Sequence, residues 1–326
     1  FSDQSVLELA IRYTALGQKK DAIKLLTRRQ EKANDPMLML WQGFLSGDAS
    51  MISDAEALPI ANARPYRPET LPVLDWAMEN STDWKWSYLK GLNLWALNRP
   101  QETLALWTPL AKRPDHAAFY VARGQLAESL SGNNPESDLL RAISIPDANR
   151  ITHLEVVQHF QSANDWSRAL NHSEAAIKLY PDDFNLQMLH ARSLLFLARP
   201  SEAVDILENI HVMPSENARE SHFLFESAHL MLATKLFDQG HSGDALIHVE
   251  RALEWPEHLG QGRPYDPDER LATYMAYRIA ESTGNEEASA VALPYLIKQS
   301  RERLSTPSAL NLLGVDVLKR AGQHRE

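Results

Sequence analysis

Small and apolar residues recur along this chain at three- and four-residue intervals, the spacing of one face of an α-helix. The stretch ALNHSEAAIKLYPDD (Ala169–Asp183) matches AVDILENIHVMPSEN (Ala203–Asn217), with leading alanines 34 residues apart. No alternating run of useful length predicts a strand, so the pattern predicts an all-α chain built from repeated helix pairs. RPQE and RPSE place Pro100 and Pro200 at helix starts, where a first turn accepts proline.

A 34-position frame organises these segments. With Ala169 at position 20, Phe160 falls at 11, Ala176 at 27 and Pro181 at 32; the next unit puts Ala191, Leu194, Ala203 and Leu207 at 8, 11, 20 and 24. Leu9, Ala10, Tyr13, Gly17, Ala22 and Leu26 fit the same frame, as do Leu232, Ala233, Leu236, Gly240, Ala245 and Ala252. A weaker unit has Gly91, Leu94, Asn98, Thr103 and Trp107; another has Gly284 and Ser289, and SALNLLGVDVLKRAG reads as a last first helix ending at Gly322. Small residues at 8 and 20 let antiparallel helices approach, larger ones at 11 and 24 fill the sides, and Gly or Asn at 15 suits a left-handed turn. These residues resemble the tetratricopeptide-repeat (TPR) family across most of the chain. The resemblance implies an α-α superhelix of about seven or eight helical hairpins, read as one array over residues 1–326. YRPETLPVLDWA, SENARESHFLFESAHLMLA and EWPEHLGQGRPYDPDERL resemble, more narrowly, the C-terminal helical region of large bacterial TPR proteins. Those proteins have no firmly assigned role; longer members carry a β-rich domain, similar to sugar-processing domains, before the repeats.

The frame degrades at about residues 46–83 and 114–150, which reads as diverged repeats. It stretches twice more. Ala203 to Ala245 spans 42 residues and Gly240 to Gly284 spans 44, which predicts insertions at about 211–220 and 254–268. Within the second, Asp266, Pro267 and Glu269 are spaced as a helix cap, first-turn proline and capping-box partner. Gly260 and Gly262 there lack the third glycine, the preceding strand and the lysine of phosphate-binding loops.

Composition narrows the function classes. The net charge is −10, with no basic run longer than two residues, which argues against nucleic acid. There is no cysteine, so disulfides and thiolate chemistry are excluded. No apolar run approaches the roughly 18–20 residues of a membrane span, so the sequence predicts a soluble chain. It starts at Phe1 with helical periodicity at once, which predicts a fragment of a longer protein without its N-terminal signal region.

Candidate chemistry is sparse. His222/His229 and His241/His248 are each two turns apart, too far to share one ion, and neither H-E-x-x-H nor G-x-S-x-G occurs; no metal, cofactor or catalytic residue is expected. Some TPR domains grip a peptide carboxylate with Lys and Asn on successive first helices. Position 9 here reads Ile11, Leu92, Gln158, Arg192, Thr234 and Arg278, which does not match, although Arg192 and Arg278 would face a groove. In and beside the insertions, Arg219, Arg263, Tyr265 and Arg270 are candidate contacts, with Asp268 as a polar orienter. Six of eight tryptophans lie between Trp41 and Trp107. Trp84, Tyr88 and Trp95 share a helical face that reads as hairpin core if buried and as a sugar-stacking or partner-anchoring surface if exposed; Trp86 lies off that face and is a further contact candidate.

The expectation is a non-enzymatic scaffold binding a protein or peptide segment, or an N-terminal domain of the same protein, in its concave groove. The alternative is an accessory domain of a carbohydrate-processing enzyme that contacts glycan through its tryptophans.

Overall fold

A computed structural model describes residues 2–30, 34–214, 219–302 and 310–320. Among the described residues there are eighteen α-helices and no strand. The chain divides into two compact units, Phe1–Thr152 and His153–Glu326.

The first unit contains α1 (Asp3–Ala15), α2 (Lys19–Gln30), α3 (Pro36–Ser46), α4 (Ser50–Glu56), α5 (Leu71–Asn80), α6 (Trp84–Ala96), α7 (Pro100–Trp107), α8 (Ala117–Ser131) and α9 (Glu136–Ile143). Hairpins form between α1 and α2, α3 and α4, α6 and α7, and α8 and α9, while α5 packs on α6. The regions read as diverged each contain one short helix. α4 has seven residues and α9 eight, and the proline-rich run between α4 and α5 is irregular, ending in a 3-10 turn at Pro68–Thr70. That run crosses the first hairpin, where Arg67 Nε donates to Glu8 at 2.8 Å and the Tyr66 hydroxyl donates to it at 2.6 Å.

The second unit follows from α10 (Arg150–Ser162), which begins at the boundary, through α11 (Trp166–Leu179), α12 (Phe184–Phe196), α13 (Pro200–Leu207), α14 (Glu220–Asp238), α15 (Ser242–Ala252), α16 (Arg270–Thr283) and α17 (Glu286–Glu302) to α18 (Leu310–Arg320). Successive helices from α11 to α18 pack pairwise. α10 joins α11 through Phe160, which stacks on His172 at 5.0 Å and lies beneath the Arg168 guanidinium.

Local sequence explains the helix limits. Asp35, Asp83, Asp165 and Asp183 cap α3, α6, α11 and α12, each carboxylate accepting a backbone N–H of the first turn. Pro100 and Pro200 occupy the first turns of α7 and α13, as the sequence predicts. Position 15 takes a positive φ in six units, at Gly17 (76°), Asn98 (60°), Asn164 (57°), Ala198 (56°), Gly240 (83°) and Gly284 (69°). The conformation is therefore fixed by the fold even where Ala198, a residue that resists it, is present. Gly322, expected to end the last helix, lies outside the described residues.

Helix contacts follow the 34-position frame. Ala10, Ala22, Ala191, Ala203, Ala233 and Ala245, at positions 8 and 20, are fully buried. In the weaker unit Gly91 takes position 8 and Trp107 position 24. A Cβ on Gly91 would sit 1.9 Å from Trp107 Nε1, so the indole occupies the space a side chain would need. Thr103 Oγ1 donates to the Gly91 carbonyl at 3.0 Å and Trp107 Nε1 donates to the Tyr88 carbonyl at 3.3 Å, which pairs both buried polar groups.

Candidate functional site

The aromatic stretch resolves into core. Tyr88 and Trp107 are buried with ring centroids 5.7 Å apart, and Phe119 meets both edge-on. Trp84 and Trp95 are half-buried against the same core. Trp86, expected as a contact, is fully buried, and its Nε1 donates to Glu56 at 2.9 Å. This corrects the sequence expectation: α6 turns Trp86 inward, where α4 supplies an acceptor. None of the eight tryptophans is exposed, which favours the hairpin-core reading of the Trp84, Tyr88 and Trp95 face over the sugar-stacking one.

The long connection after α15 is different. It leaves the helix at Leu253, makes a 3-10 turn over Glu257–Leu259, and reaches α16 through irregular chain with a bend at residues 265–266. Leu259 inserts into the core formed by α12, α13 and α14. Around it the connection is tied to the segment after α13. Val212 N–H donates to the His258 carbonyl at 2.8 Å, and His258 Nε2 donates to the Leu207 carbonyl at 3.1 Å. Ser221 Oγ donates to the Leu259 carbonyl at 2.8 Å and accepts from Gln261 Nε2 at 2.6 Å. Gly260 has φ 68°, and a Cβ there would lie 2.6 Å from the Val212 carbonyl oxygen, so this glycine serves a turn and a close approach. The two expected insertions thus pack on each other, although residues 215–218 of the first lie outside the described residues.

This folding opens a cleft of about 770 Å³ between the start of α14 and the connection. Trp255 forms part of its wall, stacked on His222 at 3.4 Å, while His222 Nε2 donates to the Glu254 carbonyl. Phe223 lines the cleft and remains 64% exposed. The charged lining is Arg219, Glu226, Asp266, Asp268 and Glu269, four acids against one base.

Most of the expected arginine contacts are already engaged. Arg270 is 2% exposed and forks onto Asp268, with Nε and Nη2 donating at 2.8 and 2.7 Å. Arg263 donates to Glu269 at 2.5 Å. Arg192 pairs with Glu220, and Arg278 lies 3.4 Å from Glu281 and contacts the Tyr274 hydroxyl; neither lines the cleft. Tyr265 is fully exposed on the connection. Of the expected contacts, Arg219 and Asp268 line the cleft, Arg263 and Arg270 bond to two of its acids, and Tyr265, Trp86, Arg192 and Arg278 do not line it. Asp268 holds Arg270 in place through that fork.

The capping expectation shifts. α16 starts at Arg270 rather than behind Asp266, its N-cap is Glu269 with no side-chain cap bond, and Asp268 Oδ1 accepts from Arg270 N–H at 3.4 Å. The fork between Asp268 and Arg270 accompanies a helix start three residues later than the capping pattern implies.

Glu226 is the residue the sequence reading missed. It lies one turn beyond Phe223 on α14, half-buried in the cleft, and its carboxyl has no hydrogen-bond or ion-pair partner among the described residues. Burial, then the negative charges of Asp268 and Glu269, push it up to about 7. A second unread cluster lies behind: His229 Nδ1 meets His248 Nδ1 at 3.0 Å, and His229 Nε2 is 3.2 Å from Glu208, which pairs with Arg251. Burial, outweighing the attraction of Glu208, pulls His229 down to about 4. Among the described residues no group of three or more His, Asp or Glu is placed to hold a metal ion.

No protein-family model matches the sequence, and no curated protein does. Among solved structures, one of Naa15/Naa10 bound to HypK-THB aligns with 87% of this chain and 38% of that chain, with 12% identity and a TM-score of 0.52. PilF of Pseudomonas aeruginosa aligns over 69% of this chain and 92% of that one, at 14% identity and a TM-score of 0.36. A tetratricopeptide repeat protein of Parabacteroides merdae aligns over 80% and 94%, at 14% identity and a TM-score of 0.34. At such identities a likeness speaks for the fold alone. With small residues buried at the 34-residue positions and left-handed turns between paired helices, that fold is the all-α, tetratricopeptide-like repeat.

Proposed function

We propose that this chain is a non-enzymatic interaction module: a tetratricopeptide-like scaffold that holds a protein segment in the cleft beside residues 254–269. The segment belongs either to another protein or to a domain of the same protein outside this chain. One observation carries the reading. The cleft places the exposed ring of Phe223 beside the unpaired carboxyl of Glu226, with fully exposed Tyr265 on the same connection. Apolar and ionic groups left uncovered together fit a surface completed by a partner.

The side chains around the cleft do not form a catalytic pair. Ser221 donates to a backbone carbonyl and His222 donates to another, so neither is poised as nucleophile or base. Away from the cleft, Ser173 Oγ meets His190 Nδ1 at 2.8 Å, but the contact is buried and Ser173 donates to the Leu170 carbonyl.

Selection of random peptides displayed on phage against the purified chain tests the proposal. Peptides should be enriched, and amide-exchange protection by them should map to residues 219–230 and 252–269. Loss of binding in Phe223→Ala with helix content unchanged supports the site. Failure to enrich any peptide, or protection elsewhere, overturns it.

A further inference from the structure

The cleft's chemistry identifies what the segment must present. Its volume of about 770 Å³ lies within the range of about 300–1,000 Å³ typical of ligand pockets, which accommodates one long side chain and its flanking backbone. Its carboxylates outnumber its bases, and the two nearest Glu226, Asp268 and Glu269, already hold Arg270 and Arg263. That leaves Glu226 facing negative charge with no cation of its own among the described residues. A half-buried carboxylate in this position costs solvation energy that an incoming cation recovers. Phe223 and Trp255 provide ring surface for the aliphatic stem or for a cationic head. The whole chain carries a net charge of −10, which steers basic segments toward it.

From this geometry we infer that the cleft takes a lysine or arginine side chain of the bound segment, with its cationic head seated against Glu226. The inference rests on the interaction-module reading above. Arg219 is the one opposing charge in the lining. It sits on an exposed backbone position ahead of α14, on a long arm free to turn to solvent, whereas Glu226 is fixed within the helix.

Charge state follows from the same arrangement. The groups facing Glu226 are Asp268 and Glu269 from the connection, Asp266 beside them, and Arg219 and His222 from its own end of the cleft; His222 is held toward its neutral form by burial. Below about pH 7 Glu226 is protonated and a cation finds a neutral acid; above it the carboxylate attracts the cation. Affinity for a basic segment therefore rises as pH increases through neutrality.

The probes are the peptides selected on the wild-type chain and their Lys/Arg→Gln versions, read by fluorescence anisotropy. We expect every enriched peptide to contain a lysine or arginine whose replacement weakens binding about tenfold or more. We expect Glu226→Gln to weaken binding to a similar degree while removing the rise in affinity between pH 6 and 8. Arg219→Ala should bind at least as tightly as wild type. Peptides that occupy the cleft without a basic residue overturn this inference and leave the interaction module standing. A tenfold loss on Arg219→Ala overturns it as well, because the ligand would then be acidic. If no peptide is enriched, the module reading itself falls and this inference with it.

Discussion

Replacing Gly91 with alanine opposes two effects of known size. Glycine inside α6 costs helix stability, so alanine gains about 1 kcal/mol in backbone propensity. Against that, the new methyl would lie 1.9, 2.4 and 2.9 Å from three atoms of the Trp107 ring. The ring must retreat by roughly 1.5 Å to reach ordinary contact near 3.5 Å. It is fully buried and hemmed in by Tyr88, Trp95 and Phe119. Overpacking of this kind costs about 1–3 kcal/mol. The retreat also strains the bond from Trp107 Nε1 to the Tyr88 carbonyl, and a buried N–H left unpaired costs about 1–3 kcal/mol more. The net expectation is a loss of about 2–4 kcal/mol. For a unit of this size that lowers the melting temperature by about 5–12 °C. Thermal unfolding followed by tryptophan fluorescence and far-UV circular dichroism measures it. In the double variant Gly91→Ala/Trp107→Leu the alanine should cost at least about 1 kcal/mol less than in the wild-type background. A Gly91→Ala chain as stable as the parent would refute the reasoning, because propensity would then outweigh a contact that the geometry makes prohibitive.

Ala198→Gly should stabilise the second unit by about 0.5–1 kcal/mol, since relief of the left-handed strain exceeds the added entropy of the unfolded chain; urea unfolding midpoints check it. Glu226 is raised from 4.5 to about 7, so its contribution to stability is full below pH 4.5 and is lost as pH rises through 7. Glu226→Gln should therefore leave stability at pH 8 higher than wild type and flatten its dependence between pH 5 and 8. His229 has the opposite slope. Lowered from 6.5 to about 4, it contributes stability above pH 6.5 that is lost as pH falls toward 4, and His229→Asn should reduce that loss in denaturant titrations at pH 7 and 4.5. Glu8 is lowered to about 2, chiefly by its bonds with Arg67, so Glu8→Gln should remove part of the acid sensitivity between pH 4.5 and 2, measured by circular dichroism of the whole chain.

The repeat was legible because close helix packing permits few residue types. Alanine, glycine or threonine at positions 8 and 20 reports backbones that touch, and this survives even where Trp107 replaces the usual filler. The turn at Ala198 was not legible, since alanine carries no signal of a positive φ; only neighbouring units at the same frame position reveal it. The insertions could be counted from the stretched period, but not their pairing, which depends on Leu259 entering the core 49 residues after Ile210. The arginines illustrate a reading that stopped too soon. Arg270 has its carboxylate two residues away and Arg263 has one six residues away, so local charge already satisfied what looked like recognition. Glu226 gave no signal in sequence. It stands among ordinary helical residues, and it becomes distinctive only when chain about 40 residues downstream folds back opposite it.

The tie between the segment after α13 and the turn following α15 gives the second unit a mechanical property that plain repeats lack. In a simple array each repeat grips only its neighbours, so tension peels hairpins away one at a time. Here the hydrogen bond from Val212 to His258, the bond from His258 back to Leu207 and the buried Leu259 close a loop around α14 and α15. A pull along the chain meets that closure before it reaches the enclosed pair. Those two helices should yield together, in a single larger step of extension, and the cleft they frame should keep its form under loads that unravel the rest.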